Sequence, residues 1–361
     1  MRRRGRVSTL HALAATASLS LAAAHAGAQS GPLPVESIDV YGSDALDSAA
    51  IRAEFEADIL RYVAAMEQAR SPNANFDEIE KTLLGVRDEL RAALDKRVPL
   101  AYLEISLITN TVPPPPHINV TVDVVEKGDE ARRMPFRAAP TRELADPGGL
   151  LAAWTEFTIK FFELALAGRP VNGTAADCPV LHCLGRYTEP ELVPYVARFD
   201  TGARAHEEAL YTVATESGNA MYRANALLVL AHTNDAERLL PLLGRAIYDA
   251  SESVRNNAMR AMLYMAQADH ERDYPLDSLL AAFDFAATSD RNKAGWTLVE
   301  LAKSPRYRER IREQAVPVAL RLLRLDQPVN HGPAYELLKL ISGEAFGDRD
   351  YAAWERWAAT R

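Results

Sequence analysis

Three short stretches in the second half of the 361-residue chain repeat one pattern: Tyr222-Arg223-Ala224-Asn225-Ala226, Val254-Arg255-Asn256-Asn257-Ala258 and Asp290-Arg291-Asn292-Lys293-Ala294. In each, an Arg precedes an Ala by three residues, and Leu or Met follows the Ala at three to five. The Ala-to-Ala steps are 32 and 36 residues, and a weaker fourth copy puts Ala334 another 40 on. A period of this size constrains the fold strongly, because one pair of helices cannot bury its apolar face alone and successive pairs must stack. The shared Ala marks the position where the second helix of a pair crosses its partner closely, with large apolar residues on either side filling the layer. In a typical unit, Asp235 to Ala266, the spacing directs Leu239, Leu240, Leu242, Leu243, Ala246 and Ile247 inward from the first helix. Asp249-Ala250-Ser251-Glu252-Ser253 then turns and caps the second helix, where Ala258, Ala261, Met262, Leu263 and Met265 complete the layer. No strand pattern occurs from about Glu189 to the end, and Pro317 is expected to interrupt a long first helix near the third unit.

The turn residue Asp249 followed by Val254-Arg255 resembles the HEAT repeat, whose turn commonly carries Asp and then Val-Arg. The resemblance spans roughly 190–342, four or five units, and implies an armadillo-like α-solenoid over 189–361. The tail, Gly343-Glu344-Ala345-Phe346-Gly347 with Trp354 and Trp357 beyond it, resembles the closing segment of bacterial HEAT-repeat chains. Two Trp at i, i+3 can cover the apolar end of such a stack, which otherwise meets water.

The first half reads differently. Glu36-Ser37-Ile38-Asp39-Val40-Tyr41 alternates at period two and stops at Gly42-Ser43, which predicts a strand. From Asp47 to about Gln68, Ile51, Phe55, Ile59, Leu60, Val63 and Met66 recur at helical spacing, with Asp47 or Ser48 as cap. A second helix follows from about Asn75 to Lys96 on Phe76, Ile79, Leu83, Val86, Leu90 and Leu94. Alternation returns over 101–109 and 118–126. Between these strands Pro113-Pro114-Pro115-Pro116 cannot donate to a ladder, so the four prolines form the exposed connection of an antiparallel pair. The order strand-helix-helix-strand-strand is an α+β module over 29–130, and the chain as a whole is mainly α. The first strand Ile38-Asp39-Val40-Tyr41-Gly42-Ser43 and a last strand ending Val124-Val125-Glu126 resemble a POTRA domain, the periplasmic module of outer-membrane assembly proteins. Its long second helix, the prolines and the lack of a barrel downstream depart from that family.

Residues 131–188 join the two parts. The polar stretch 128–147 reads as a linker, and the apolar helix Leu150 to Leu166, with Trp154, Phe157, Phe161 and Phe162, is expected to lie sandwiched between the domains.

Residues 1–28 read as a secretory signal: Arg2, Arg3, Arg4 and Arg6, a short apolar stretch to Ala24, then Ala24-His25-Ala26 and Ala26-Gly27-Ala28 as cleavage sites. Losing four arginines and no acid takes the formal charge from −8 to −12. An acidic chain repels nucleic acid and anionic membrane surfaces, and no later segment is apolar enough to span a bilayer. The expected location is therefore periplasmic or secreted.

Cys178 and Cys183, the only cysteines, are separated by four residues and favour a local disulfide in an oxidising compartment. With His182 they supply at most three soft ligands, which argues against a metal centre. His206-Glu207-Glu208 and His270-Glu271 each lack a second His four residues on, and neither G-x-S-x-G nor a phosphate-binding Gly-rich loop occurs. No catalytic, cofactor-binding or metal-binding residue is assigned. Arg223, Arg255 and Arg291 form either an anion-binding ladder or a set of bonds to the preceding turn, for example to Asp249 or Asp290; we take the second. The expected function is that of an exported, non-catalytic scaffold holding a protein partner on the solenoid, with no nucleic acid and no membrane span. One alternative is an envelope-assembly or chaperone-like factor acting through the POTRA-like module. Another is an enzyme with its site in an interdomain cleft around Trp154, Asp177 and His182.

Overall fold

The computed structural model describes residues 33–71, 73–111 and 114–360; the export segment expected over 1–28 lies outside them. The chain divides after Glu130 into two compact units.

The first unit follows the expected order: β1 (Val35–Tyr41), α1 (Ser48–Gln68), α2 (Phe76–Leu94), β2 (Leu100–Asn110) and β3 (His117–Glu126). The sheet order is β1-β3-β2, with β1 parallel and β2 antiparallel to β3. The parallel pair exists because the two helices form the crossover between β1 and the later strands. In the register Ile38 lies opposite Val120 and Ile105 opposite Val122, so one face of the sheet is continuous with the helix stripes. Ile51, Phe55, Ile59 and Val63 of α1 and Ile79, Leu83, Val86, Leu90 and Leu94 of α2 bury against it, each fully buried Leu or Val contributing about 1.5–3 kcal/mol. Asp47 caps α1 by accepting from the Ala50 amide at 2.8 Å.

The second unit is helical: α3 (Leu150–Leu166), α4 (Val193–Ala205), α5 (Glu207–Glu216), α6 (Ala220–Leu230), α7 (Ala236–Ala246), α8 (Glu252–Ala268), α9 (Leu276–Ala282), α10 (Thr288–Leu301), α11 (Pro305–Leu322), α12 (Pro328–Ser342) and α13 (Tyr351–Ala359). The second helices of successive pairs, α6, α8, α10 and α12, pack directly on one another in that order. Pro317 does not interrupt α11, which runs through it. Pro317 and Glu313, whose carbonyl loses its helical donor, both face solvent, where water replaces the missing bond.

One expectation for the joining region changes. The stretch expected as a linker belongs, from Ala131 on, to the helical unit, where it lies as a strap across three successive turns. The Ala286 amide donates to the Arg133 carbonyl at 3.1 Å, the Arg137 amide to the Tyr248 carbonyl at 2.8 Å, and the Gly218 amide to the Arg142 carbonyl at 2.7 Å. Arg133 is buried, and Phe136 packs edge-on to Phe285 at 5.3 Å with the Arg255 guanidinium over its ring at 3.8 Å. Polar composition suggested a free tether, but turns expose unpaired backbone groups, and a polar segment is what satisfies them. In the helical unit α3 packs on α4 and α6. Its first turn is capped by Asp146, which accepts from the Leu151 and Ala152 amides at 2.9 Å each.

Candidate functional site

The repeated arginines bind the stack together. Arg223 donates from Nε and Nη2 to the Asp249 carboxylate at 2.8 and 2.6 Å, and from Nη1 to the Ser217 carbonyl at 2.7 Å. Arg255 donates from Nε to Asp290 Oδ2 at 2.7 Å, and from Nη1 to the Asp249 and Ala250 carbonyls at 3.0 and 3.2 Å. Arg291 donates from Nε to Asn330 Oδ1 at 3.0 Å, and from Nη1 to the Phe285 and Ala286 carbonyls at 2.9 and 2.6 Å. Each Arg therefore clamps the turn before its own helix to the start of the next second helix, which lines up the N-termini of α6, α8, α10 and α12. The expected bond to the preceding turn is present but is made to carbonyls; the side-chain acceptors Asp249, Asp290 and Asn330 come from the unit that follows. Ala226, Ala258 and Ala294 are all fully buried at the crossings. In the fourth copy His331 stands where the Arg would be, three residues before Ala334, with Nδ1 at 2.8 Å from the Leu323 carbonyl and Nε2 at 3.3 Å from Asp348. Burial pushes the Asp290 carboxyl up to about 7 against the pull of Arg255. These buried cations are occupied by the fold, and an anion-binding ladder is not available at them.

Cys178 and Cys183 are joined in a disulfide with a Cα–Cα distance of 5.7 Å. The loop docks on the end of α6, with the Leu181 amide donating to the Ala231 carbonyl at 3.2 Å, and so inserts His182 into an aromatic cluster. Its ring centroid lies 4.8 Å from Tyr264 and 6.4 Å from Trp154. His182 is fully buried, neither ring nitrogen has a hydrogen-bond partner, and burial, assisted by Arg260 and His232, pushes it down to about 3. Beside it His232 connects the Tyr187 hydroxyl, 3.2 Å from Nε2, to Asp200, 2.7 Å from Nδ1. This Tyr-His-Asp arrangement has the geometry of a proton relay. The His232 ring is fully buried and Tyr187 nearly so, and burial raises the phenol, which keeps it protonated and weakly nucleophilic. Burial also lowers His232, opposed by Asp200. Of the three residues singled out from sequence for an enzyme, Trp154 and His182 meet in this buried aromatic cluster; Asp177 is exposed and accepts from the Thr174 hydroxyl at 2.6 Å.

On the second-helix layer two cations differ from the ladder. Arg260 of α8 makes one side-chain bond, from Nη2 to Asn256 Oδ1 at 3.2 Å, while its Nε is buried without a partner. The side chain of Lys293 of α10 makes no hydrogen bond or ion pair among the described residues. Burial and then the charge of Arg260 push Lys293 down to about 8. Tyr264 follows Arg260 by one turn and Trp296 follows Lys293 by three residues; both are half-buried. Sequence reading missed this pair because attention went to the Arg three residues before each Ala. The signal was present at the neighbouring positions: one before the Ala, Asn225 and Asn257 give way to Lys293, and two after it Leu228 gives way to Arg260.

The other candidates are structural. Trp354 is fully buried and packs against Tyr335, Phe346 and Trp357, closing the end of the stack. Glu207 and Glu208 pair with Arg238 at 2.7 and 2.6 Å, and among the described residues His270 has only its neighbour Glu271, at 3.7 Å. Among the described residues no group of three or more His, Cys, Asp or Glu is placed to hold a metal ion. A cleft between α9 and α11 is lined by Arg306 and Arg310, each already paired with Asp273 or Asp277. No helix among the described residues is long and apolar enough to cross a membrane. No protein-family model matches the chain, and neither a curated protein nor a solved structure matches it.

Proposed function

We propose that the protein is an exported, non-catalytic scaffold that holds a protein partner on its second-helix layer. The observation that carries this reading is the stacking itself. With the N-termini of α6, α8, α10 and α12 held level by the Arg clamps, equivalent positions of successive units fall side by side and build a surface spanning several helices, suited to a macromolecule rather than a small substrate. The HEAT resemblance is supported by the same ladder, and the disulfide suits an oxidising compartment. In the relay-like cluster His232 and Tyr187 are buried, and Asp200 is the member that reaches solvent, which weighs against the enzyme reading.

The sheet order β1-β3-β2 supports the POTRA resemblance, and with it a second reading in which the first unit acts in envelope assembly, by strand addition at a sheet edge. One experiment separates the two. The mature protein is used for affinity capture from its own envelope fraction, beside variants in which the half-buried Leu263, Trp296 and Leu340 of α8, α10 and α12 are each changed to Glu. Loss of a captured partner in folded layer variants supports the scaffold; undiminished capture transfers binding to the first unit.

A further inference from the structure

Between α3 and α4 the chain runs from Ala167 to Leu192 with no strand, and with no helix beyond the single 3-10 turn Ala175–Asp177. A connection of that length inside a packed stack is uncommon, and where one occurs it commonly acts as a lid or a binding loop. This one lies across two successive second helices. The turn Ala175–Asp177 packs on α8. The Leu181 amide donates to the Ala231 carbonyl at the end of α6 at 3.2 Å, and Asn234 Nδ2 donates to the Pro179 carbonyl at 3.3 Å. His182 packs on Tyr264 with ring centroids 4.8 Å apart. Tyr264 stands six residues after Ala258, the place held by Glu300 and Leu340 in the next two copies. All three are half-buried, the mark of an outward position, so the loop occupies part of the surface that the scaffold reading gives to the partner.

The disulfide holds the loop there against a cost. Both ring nitrogens of His182 are buried without a partner, so insertion strips the imidazole of water and returns no hydrogen bond. What favours docking is the ring contact with Tyr264 and Trp154 and long hydrogen bonds, among them one from the Tyr187 hydroxyl to the His182 carbonyl at 3.3 Å. Joining Cys178 to Cys183 removes much of the freedom that a loop without regular structure regains on leaving. Cys183 is buried, whereas Cys178 is half-buried between exposed Asp177 and Pro179, so an incoming thiolate reaches Cys178 first. We propose that the loop is a redox-controlled flap: closed by its disulfide it covers Tyr264 and the end of α6, and a dithiol reductant releases it and opens that part of the layer. In the exchange a thiolate of the reductant attacks Cys178 Sγ, the S–S bond breaks, and Cys183 leaves as a thiolate that takes up a proton. The second thiol of the reductant then attacks the mixed disulfide, and Cys178 leaves and is protonated in turn. The protein gains two electrons and two protons, and the reductant becomes a disulfide. Use of the uncovered surface by a protein partner rests on the scaffold reading; the coupling of the disulfide to the position of the loop does not.

The test uses purified mature protein in three forms: oxidised, reduced with dithiothreitol, and carrying Cys178→Ser with Cys183→Ser. Deuterium exchange over residues 178–183 reports the loop in all three. Nitration of Tyr264 by tetranitromethane, mapped by mass spectrometry, compares the oxidised protein with the double variant, neither of which has a free thiol. The expected result is exchange over 178–183 that is about tenfold faster or more in the reduced protein and the double variant, and that returns to its first value on reoxidation. Nitration of Tyr264 rises with it, while exchange in α10 and α12 stays as it was. Exchange and nitration that are equal in all forms overturn the proposal. Exchange raised throughout the helical unit overturns it as well, since the disulfide is then a staple of the whole unit. Capture from the envelope fraction is compared between the oxidised protein and the double variant. Capture of one partner increased about threefold or more by the double variant supports the flap; equal capture with the loop released overturns its control of binding. Release of the loop with nothing captured by either form removes the scaffold reading and leaves the redox coupling; capture without release of the loop does the reverse.

Discussion

Replacing His182 by Leu should stabilise the helical unit, by an amount that grows as the pH falls. At pH 7 the buried imidazole is neutral, with one ring N–H and one ring nitrogen acceptor, and neither has a partner. Each buried unsatisfied group costs about 1–3 kcal/mol. Leu is close in volume and carries no polar atom, so the variant should gain about 1–3 kcal/mol at pH 7. The second contribution is proton linkage. His182 titrates at about 3 in the fold and at about 6.5 in the unfolded chain. Between those values the unfolded state binds a proton that the folded state does not, so stability is full above pH 6.5 and is lost as the pH falls toward 3. At pH 5 this loss amounts to about 2 kcal/mol for one histidine, and His182→Leu abolishes it. The assay is urea unfolding at pH 7 and pH 5 followed by tryptophan fluorescence. All four tryptophans, Trp154, Trp296, Trp354 and Trp357, belong to the helical unit, so the signal reports that unit alone. A variant less stable than the parent at pH 7, or a stability difference that fails to widen by about 2 kcal/mol at pH 5, would refute the reasoning.

Two further outcomes follow from the same interior. Asp290→Leu strands Arg255 as a buried, unmatched cation and should cost about 3–5 kcal/mol, whereas the double change Arg255→Met with Asp290→Leu should recover most of it; the four corners of that cycle are read by urea unfolding. Changing Cys178 and Cys183 together to Ser opens a six-residue loop, worth about 2 kcal/mol of unfolded-state entropy, and should lower the unfolding midpoint without altering the far-ultraviolet dichroism.

The sequence carried the architecture because architecture is periodic. The alternation around Ile38 and Val120 and the helical stripe from Ile79 to Leu94 are one-dimensional traces of a buried face, and the 32- and 36-residue steps between Ala226, Ala258 and Ala294 trace the stack. Features that depend on partners far along the chain were not legible. Asp249 accepts from an Arg 26 residues earlier and Asp290 from one 35 residues earlier, and no local pattern tells which side of an Arg its acceptor comes from. His232 and Asp200 meet only because α4 folds back along α6. Arg260 was hidden for a different reason: an unmatched charge is recognised by what surrounds it, and residue type alone says nothing of that. Pro317 misled because its cost depends on whether the carbonyl it deprives of a donor faces water.

The strap has a mechanical consequence. Stacks of helix pairs commonly behave as springs, each joint opening a little under load. Here one run of backbone is stitched at Ala286, Tyr248 and Gly218, on the edge where those joints would gape. Widening any one of them stretches an almost inextensible thread held on both sides of it, so compliance should be confined to the opposite edge and to the joints beyond Ala286. The stretch from Arg133 to Arg142 thus serves as a tendon along the helical unit.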